Sequence, residues 1–124
     1  MILQSLLALK PHTRIQDLNT GDVIFGSGDT GDCLYGVLEG CVALSWVGGD
    51  RYERLDPGRC FGVGALVQQK HFRHGTAVAM EPTKLLVMDR EVFLFALEAL
   101  PMFAIELLAS LESRLWALRD PAAR

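Results

Sequence analysis

Short apolar runs separated by turn residues occupy the chain from about Ile15 to Asp89. The runs are Val23–Phe25, Leu34–Leu38, Val42–Val47, Tyr52–Leu55, Thr76–Met80 and Lys84–Met88. Each is four to eight residues or shorter and bounded by Gly, Asp or Pro, as half-buried strands are. Gly48-Gly49-Asp50, between two runs, predicts a tight hairpin. Gly28-Asp29-Thr30-Gly31-Asp32 and Asp56-Pro57-Gly58 predict turns, with glycine supplying positive φ and Asp capping locally. Many short strands with regular turns point to an antiparallel sandwich or barrel. The flanks read differently. Ile2 to Leu9 predicts a short helix stopped by Pro11. After Asp89 the period becomes helical: Arg90 to Leu100 forms one helix, and Pro101 opens a second from the first helical position. In that second helix Ala104, Leu108, Leu111, Leu115 and Leu118 recur alternately four and three residues apart, a heptad seam about two heptads long. Asp120-Pro121 is expected to end it.

Length and charge narrow the classes. The 124 residues fit one domain with one core, half of them apolar and 22% charged. A formal net charge of −3, with scattered basic residues, gives no electrostatic footprint for nucleic acid or an anionic membrane. Cys33, Cys41 and Cys60 form no C-x-x-C pair, and an odd count at wide spacing predicts free thiols in a reducing cytoplasm. The first ten residues lack a basic region and a cleavage site, so no signal peptide is expected. The apolar region from Val92 to Ala109 is broken by Glu98, Pro101 and Glu106, which argues against a membrane span.

The candidate chemistry sits in Phe61-Gly62-Val63-Gly64-Ala65-Leu66, followed by Arg73-His74-Gly75-Thr76. A glycine-rich turn opens a helical turn, whose first N–H groups are unpaired and partly positive. An arginine nearby adds a two-pronged donor for phosphate or carboxylate. Together they suggest a pocket for a small anion.

Gly21-Asp22-Val23-Ile24-Phe25, Gly28-Asp29-Thr30-Gly31-Asp32, Leu34-Tyr35, Val37-Leu38-Glu39-Gly40 and Leu55-Asp56-Pro57-Gly58 agree in order and spacing with a known family. The chain resembles the cyclic-nucleotide-binding domain of the cAMP receptor protein/FNR superfamily, from about Leu6 to Leu118. The resemblance implies a mainly β fold with flanking helices. A jelly-roll-like double-stranded β-helix (a β-roll, about 15–89) would precede C-terminal helices (about 90–119). It also implies an effector held in a phosphate-binding cassette, here Phe61 to Thr76, and a last helix that forms a homodimer, here 102–119. Cyclic-nucleotide binders of that family carry a glutamate after Phe-Gly to accept the ribose 2′-hydroxyl. Val63 stands there and accepts nothing, a deficit of about 1–3 kcal/mol. Phe61-Gly62-Val63, Arg73 and Ala77-Val78-Ala79 are similar to a branch of the superfamily, the cyanobacterial global nitrogen regulators, which sense 2-oxoglutarate. In that branch an arginine and an acidic residue of the dimer helix complete the site. Arg114 matches the arginine, whereas Arg119 occupies the acidic position.

The resemblance thus implies ligand-binding roles for Phe61, Gly62, Val63, Gly64, Ala65, Leu66, Arg73, Thr76 and Arg114, with cAMP, cGMP or 2-oxoglutarate as candidate effectors. In a parallel dimer Arg114 and the Arg119 of a second copy would fall at facing g and e positions, where an anion would relieve their repulsion; the plainer expectation is that both are solvated and turn away. Ser110, Ser113 and Thr76 are expected to be ordinary surface and strand hydroxyls unless the ligand meets them. His71 and His74 read as loop residues, and nothing in their spacing or in Cys60 builds a haem or metal site. A cupin-like oxygenase would need converging His and Glu ligands. His12, His71 and His74 contain no H-x-H pair, so no enzyme and no metal are expected. Trp46, Trp116 and the phenylalanines are expected to pack in the core or between helices. The expected function is one sensor domain over 1–124, without a helix-turn-helix, signalling through its last helix in transcription regulation. The competing expectation is a degenerate, non-binding β-roll that serves as a dimerisation scaffold.

Overall fold

The architecture was obtained from a computed structural model, which describes residues 7–9, 11, 13–46 and 52–119. Among the described residues, eight antiparallel strands form two four-stranded sheets. The strands are β1 (Arg14–Leu18), β2 (Val23–Phe25), β3 (Cys33–Glu39), β4 (Val42–Trp46), β5 (Tyr52–Leu55), β6 (Cys60–Phe61), β7 (Gly75–Ala79) and β8 (Thr83–Asp89). One sheet runs β1-β8-β3-β6 and the other β2-β7-β4-β5. Among the described residues, besides the helical residues 7–9, lie three helices: α1 (Gly64–Val67), α2 (Arg90–Ala99) and α3 (Pro101–Arg119). This is the expected β-roll followed by C-terminal helices.

The period-2 pattern of β3 and β8 divides the core. Tyr35, Val37, Leu85 and Val87 face the roll interior, with Phe25, Leu44, Leu55, Phe61 and Ala77. Leu34, Leu86 and Met88 face the other way, against Phe93, Ala96, Phe103 and Leu107 of the helices. The register Leu34↔Met88, Tyr35↔Val87 and Gly36↔Leu86 keeps like with like on each face. Phe25, Tyr35 and Phe61 form an aromatic cluster inside the roll, with ring centroids 5.2–6.0 Å apart.

The helices start where their sequences provide a start. Asp89 caps α2, its carboxylate accepting from the Val92 N–H at 2.9 Å. Pro101 opens α3, and the chain bends by 111° between the two helices. The inner face of α3 buries Phe103, Leu107 and Ser110. The expected heptad seam only partly coincides with its outer face. Leu108 and Leu115 are 65% and 44% exposed, whereas Leu111 packs against the helix-side core. Among the described residues no single helix is long and apolar enough to cross a membrane.

Two strands were not anticipated. Arg14–Leu18 has polar residues at three of five positions, and its pairing with β8 decides its conformation. Cys60–Phe61 is too short to show a period. The Gly48-Gly49-Asp50 turn lies outside the described residues, as do His12, Val47, Asp120-Pro121 and the Ile2–Leu6 part of the N-terminal helix. β4 and β5 nevertheless pair antiparallel from Val42↔Leu55 to Ser45↔Tyr52. The Asp56-Pro57-Gly58 turn forms as expected, with Gly58 at φ +92° and the Arg59 N–H bonded to Asp56 O. All three cysteines are buried and free.

Candidate functional site

A cavity of about 190 Å³ opens between the segment 62–65, the β4 and β7 ends and α3. Its walls include Gly62, Val63, Gly64, Ala65, Arg73, Leu111 and Arg114, with Trp46 and Phe72 toward the outside, 41% and 46% exposed. Gly62 is at φ +85°, and a Cβ there would stand 2.6 Å from Arg73 Nη1. Glycine is therefore required twice over, by the backbone and by the close approach of the guanidinium.

Arg73 is 4% exposed. Its Nη1 donates to Gly62 O and its Nη2 to Cys33 O, both at 2.6 Å. The guanidinium carbon lies 4.5 Å from the Phe25 ring centroid and 5.5 Å from that of Tyr35. Both hydrogen-bond partners are neutral, so the arginine keeps its full charge at the cavity wall. The Tyr35 phenol is pushed up to about 12, chiefly by burial and then by its contact with Cys33.

Arg114 reaches the same cavity from α3. Its Nε and Nη2 donate to the two carboxylate oxygens of Glu53 at 2.6 and 2.9 Å, and its Nη1 donates to Cys60 O at 2.9 Å. The two side chains of this forked pair are 11% and 10% exposed. Burial pushes the Cys60 thiol up to about 12, against a smaller lowering by Arg114. Glu53 was missed at the sequence level. The signal was available: alternation in Tyr52-Glu53-Arg54-Leu55 puts Glu53 on the inward face with Leu55, and an inward acid needs a cation.

The structure brings six of the nine expected site residues together: Gly62, Val63, Gly64, Ala65, Arg73 and Arg114. The other three lie elsewhere. Phe61 is fully buried in the aromatic cluster of the roll. Leu66 packs in the helix-side core. Thr76 alternates with inward Gly75 and Ala77, and its hydroxyl accepts from the Ser27 N–H at 3.2 Å. Arg114 is not the solvated side chain expected from the helix pattern: it turns inward to Glu53, while Arg119 lies over the Trp116 ring. Nor are the tryptophans core residues: Trp116 is 60% exposed and Trp46 stands at the cavity. Of the phenylalanines, Phe25, Phe61, Phe93 and Phe103 are buried, whereas Phe72 and Phe95 are exposed. The Ser110 hydroxyl is buried beside the 57–59 turn, away from the cavity. Ser113 also lies by that turn.

A roomier hollow of about 480 Å³ lies beyond α1, lined by Thr30, Asp32, His71 and Arg90 among others. It holds one arginine, and its Arg90 and His71 face the carbonyl end of α1. Arg90 Nη1 bonds Leu66 O, and His71 Nδ1 bonds Ala65 O, both at 2.6 Å. They tie down the carbonyl end of α1. The smaller cavity, which holds both inward arginines, is the better candidate for an anion. No group of three or more His, Cys, Asp or Glu side chains among the described residues is placed to hold a metal.

The profile of the cyclic nucleotide-binding domain matches residues 15–99. The chain belongs to the cyclic nucleotide-binding domain family. It is 39% identical over 99 residues to the cyclic AMP receptor protein of Thermus thermophilus, an alignment covering 77% of this chain and 45% of that protein. The chain therefore spans less than half the length of that relative. Among solved structures, the catabolite activator protein of Thermus thermophilus superposes with a TM-score of 0.77 at 32% identity, over 96% of this chain and 60% of that one. The N-terminal domain of a transcriptional regulator from Streptomyces coelicolor gives 0.65 at 29% identity, over 95% and 84%. These relatives are receptors and regulators by name, not enzymes, and they place the chain in the cAMP receptor protein branch of the cyclic nucleotide-binding family.

Proposed function

We propose that the chain is the effector-sensing domain of a cytoplasmic transcription regulator, taking a small anionic ligand in the cavity of Gly62–Ala65, Arg73 and Arg114. The observation that carries this reading is the convergence of two inward arginines on a single cavity, the buried Arg73 of the cassette and the half-buried Arg114 of α3. The ligand is a cyclic nucleotide, the class for which the family is named, or a small carboxylate such as 2-oxoglutarate. Val63 offers a ribose hydroxyl no acceptor, which weakens a cyclic nucleotide's hold without deciding between the two classes. Since α3 forms part of the wall, a ligand that fits one position of α3 better than another shifts the balance between them. The exposed Leu108 and Leu115 make α3 the natural dimer contact. A scaffold without a ligand is the second reading, favoured by one observation: both arginines already bond internally.

The test is calorimetric titration of the purified chain with cAMP, cGMP and 2-oxoglutarate, repeated with Gly64→Leu. A Cβ at Gly64 meets nothing within 4 Å and its φ is not positive, so the leucine fills the cavity without straining the backbone. Saturable binding lost in Gly64→Leu, with the melting temperature held, is the expected result. No heat from any ligand would favour the scaffold.

A further inference from the structure

We infer that Glu53 is a specificity-determining residue, which makes the cavity select singly charged anions over doubly charged ones. This deepens the proposed function and rests on that reading of the cavity.

The charge count follows from the geometry. Arg73 bonds only carbonyl and thiol groups, so its charge is uncompensated. Arg114 is matched by Glu53 through two parallel bonds, and its third goes to a backbone carbonyl. Tyr35 and Cys60, both held near 12 by burial, stay neutral at ordinary pH. His74 stands exposed at the rim, where solvent screens it from the two arginines. The wall therefore presents one net positive charge, although it carries two arginines.

A single negative charge, such as a cyclic phosphodiester, balances that count. A dicarboxylate brings a second charge that must compete with Glu53 for the Arg114 guanidinium. Glu53 is covalently tethered and already aligned, so it has the advantage of effective concentration over a free ligand. Glu53 itself lies behind Arg114, among the residues of the hollow between β5 and α3. It acts through Arg114 and is a positioning residue.

The experiment is calorimetry at about pH 8, where an ordinary imidazole is neutral. It uses cAMP as the single charge and 2-oxoglutarate as the double charge. The wild-type chain, Glu53→Gln and the double variant Glu53→Gln/Arg114→Gln are compared. The single variant raises the wall to two charges. Its affinity ratio should move toward 2-oxoglutarate by about tenfold or more, the weight of one charge-assisted hydrogen bond. The double variant restores the count of one and removes the second carboxylate's partner, so its ratio should fall back to the wild-type value or below it. It also leaves no unpaired buried charge, so it tests the count even if Glu53→Gln does not fold. A merely structural Glu53 would change both affinities together and leave the ratio fixed. If a wild-type chain that binds shows a ratio unmoved in the single variant, or a double variant shifted toward 2-oxoglutarate, the selector role is overturned and the cavity stands. No binding of either ligand by any of the three proteins overturns the cavity and the selector together.

Discussion

Replacing Arg73 tests whether its guanidinium is a strut of the roll as well as an anion anchor. The side chain is 4% exposed and joins Gly62 O at the cassette to Cys33 O on β3. Arg73→Ala removes two charge-assisted hydrogen bonds, each worth about 1.5–3 kcal/mol. It also removes contact with two aromatic rings, about 1–2 kcal/mol where desolvated. Against these stands the cost of burying the charge, which disappears with it. The net loss expected is about 4 kcal/mol, which for a chain of this length lowers the melting temperature by roughly 15 °C. Arg73→Lys offers a single ammonium that cannot fork to both carbonyls, so it should recover no more than about half of the loss. The assay is thermal and urea unfolding followed by circular dichroism without ligand. An Arg73→Ala chain that melts within about 2 °C of wild type would refute the strut. The arginine would then be held mainly for a ligand.

Three further outcomes are expected. Gly40→Ala should destabilise strongly, by about 2–4 kcal/mol, because Gly40 is at φ +90° and a Cβ there would stand 2.5 Å from Pro82 O. Urea midpoints near those of wild type would contradict this. The contribution of Cys60 and Tyr35 to stability should be constant from neutral pH to about pH 9 and fall as pH rises toward about 12. The Cys60 thiol and Tyr35 phenol stay neutral in the fold, but ionise from their ordinary values of 9.0 and 10.0 once unfolded. Urea titrations across that range check it, with Cys60→Ala flattening the first part of the fall. Leu108→Glu, at a 65% exposed position of α3, should weaken self-association in sedimentation and leave the monomer's melting unchanged. Unaltered sedimentation of a self-associating chain would move the contact off this face.

Much of the fold was legible because its turns are chemically explicit. The glycines at 28 and 58 do have positive φ, and Asp89 and Pro101 do open helices. What the sequence concealed was direction. Thr76 and Ala77 are adjacent and equally plausible beside a ligand, but only the strand pairing decides that Ala77 faces the interior. The Phe61-Gly62 pair marks the cassette correctly, yet the ring enters the core while the glycine meets Arg73. The heptad pattern on α3 likewise counted Leu111 with the outer seam, although the bend after α2 turns it inward. Glu53 was hidden because its partner is 61 residues away, beyond any local pattern.

On the proposed reading, the placement of Arg114 would couple the cavity to α3 directly. One guanidinium touches the cavity, the edge strand β5 through Glu53, and β6 through Cys60 O. No relay is needed, because the residue that would meet an anion is itself part of the helix that would carry the response. Glu53 holds two of the guanidinium nitrogens, so an anion at the cavity wall would sit beside the pair rather than displace it. Its contact with the helix would be better in one position of α3 than in another. The helix would then respond to that difference, a difference of a few kcal/mol at most. A difference of that size is large enough to move a balanced equilibrium and small enough to leave the roll folded.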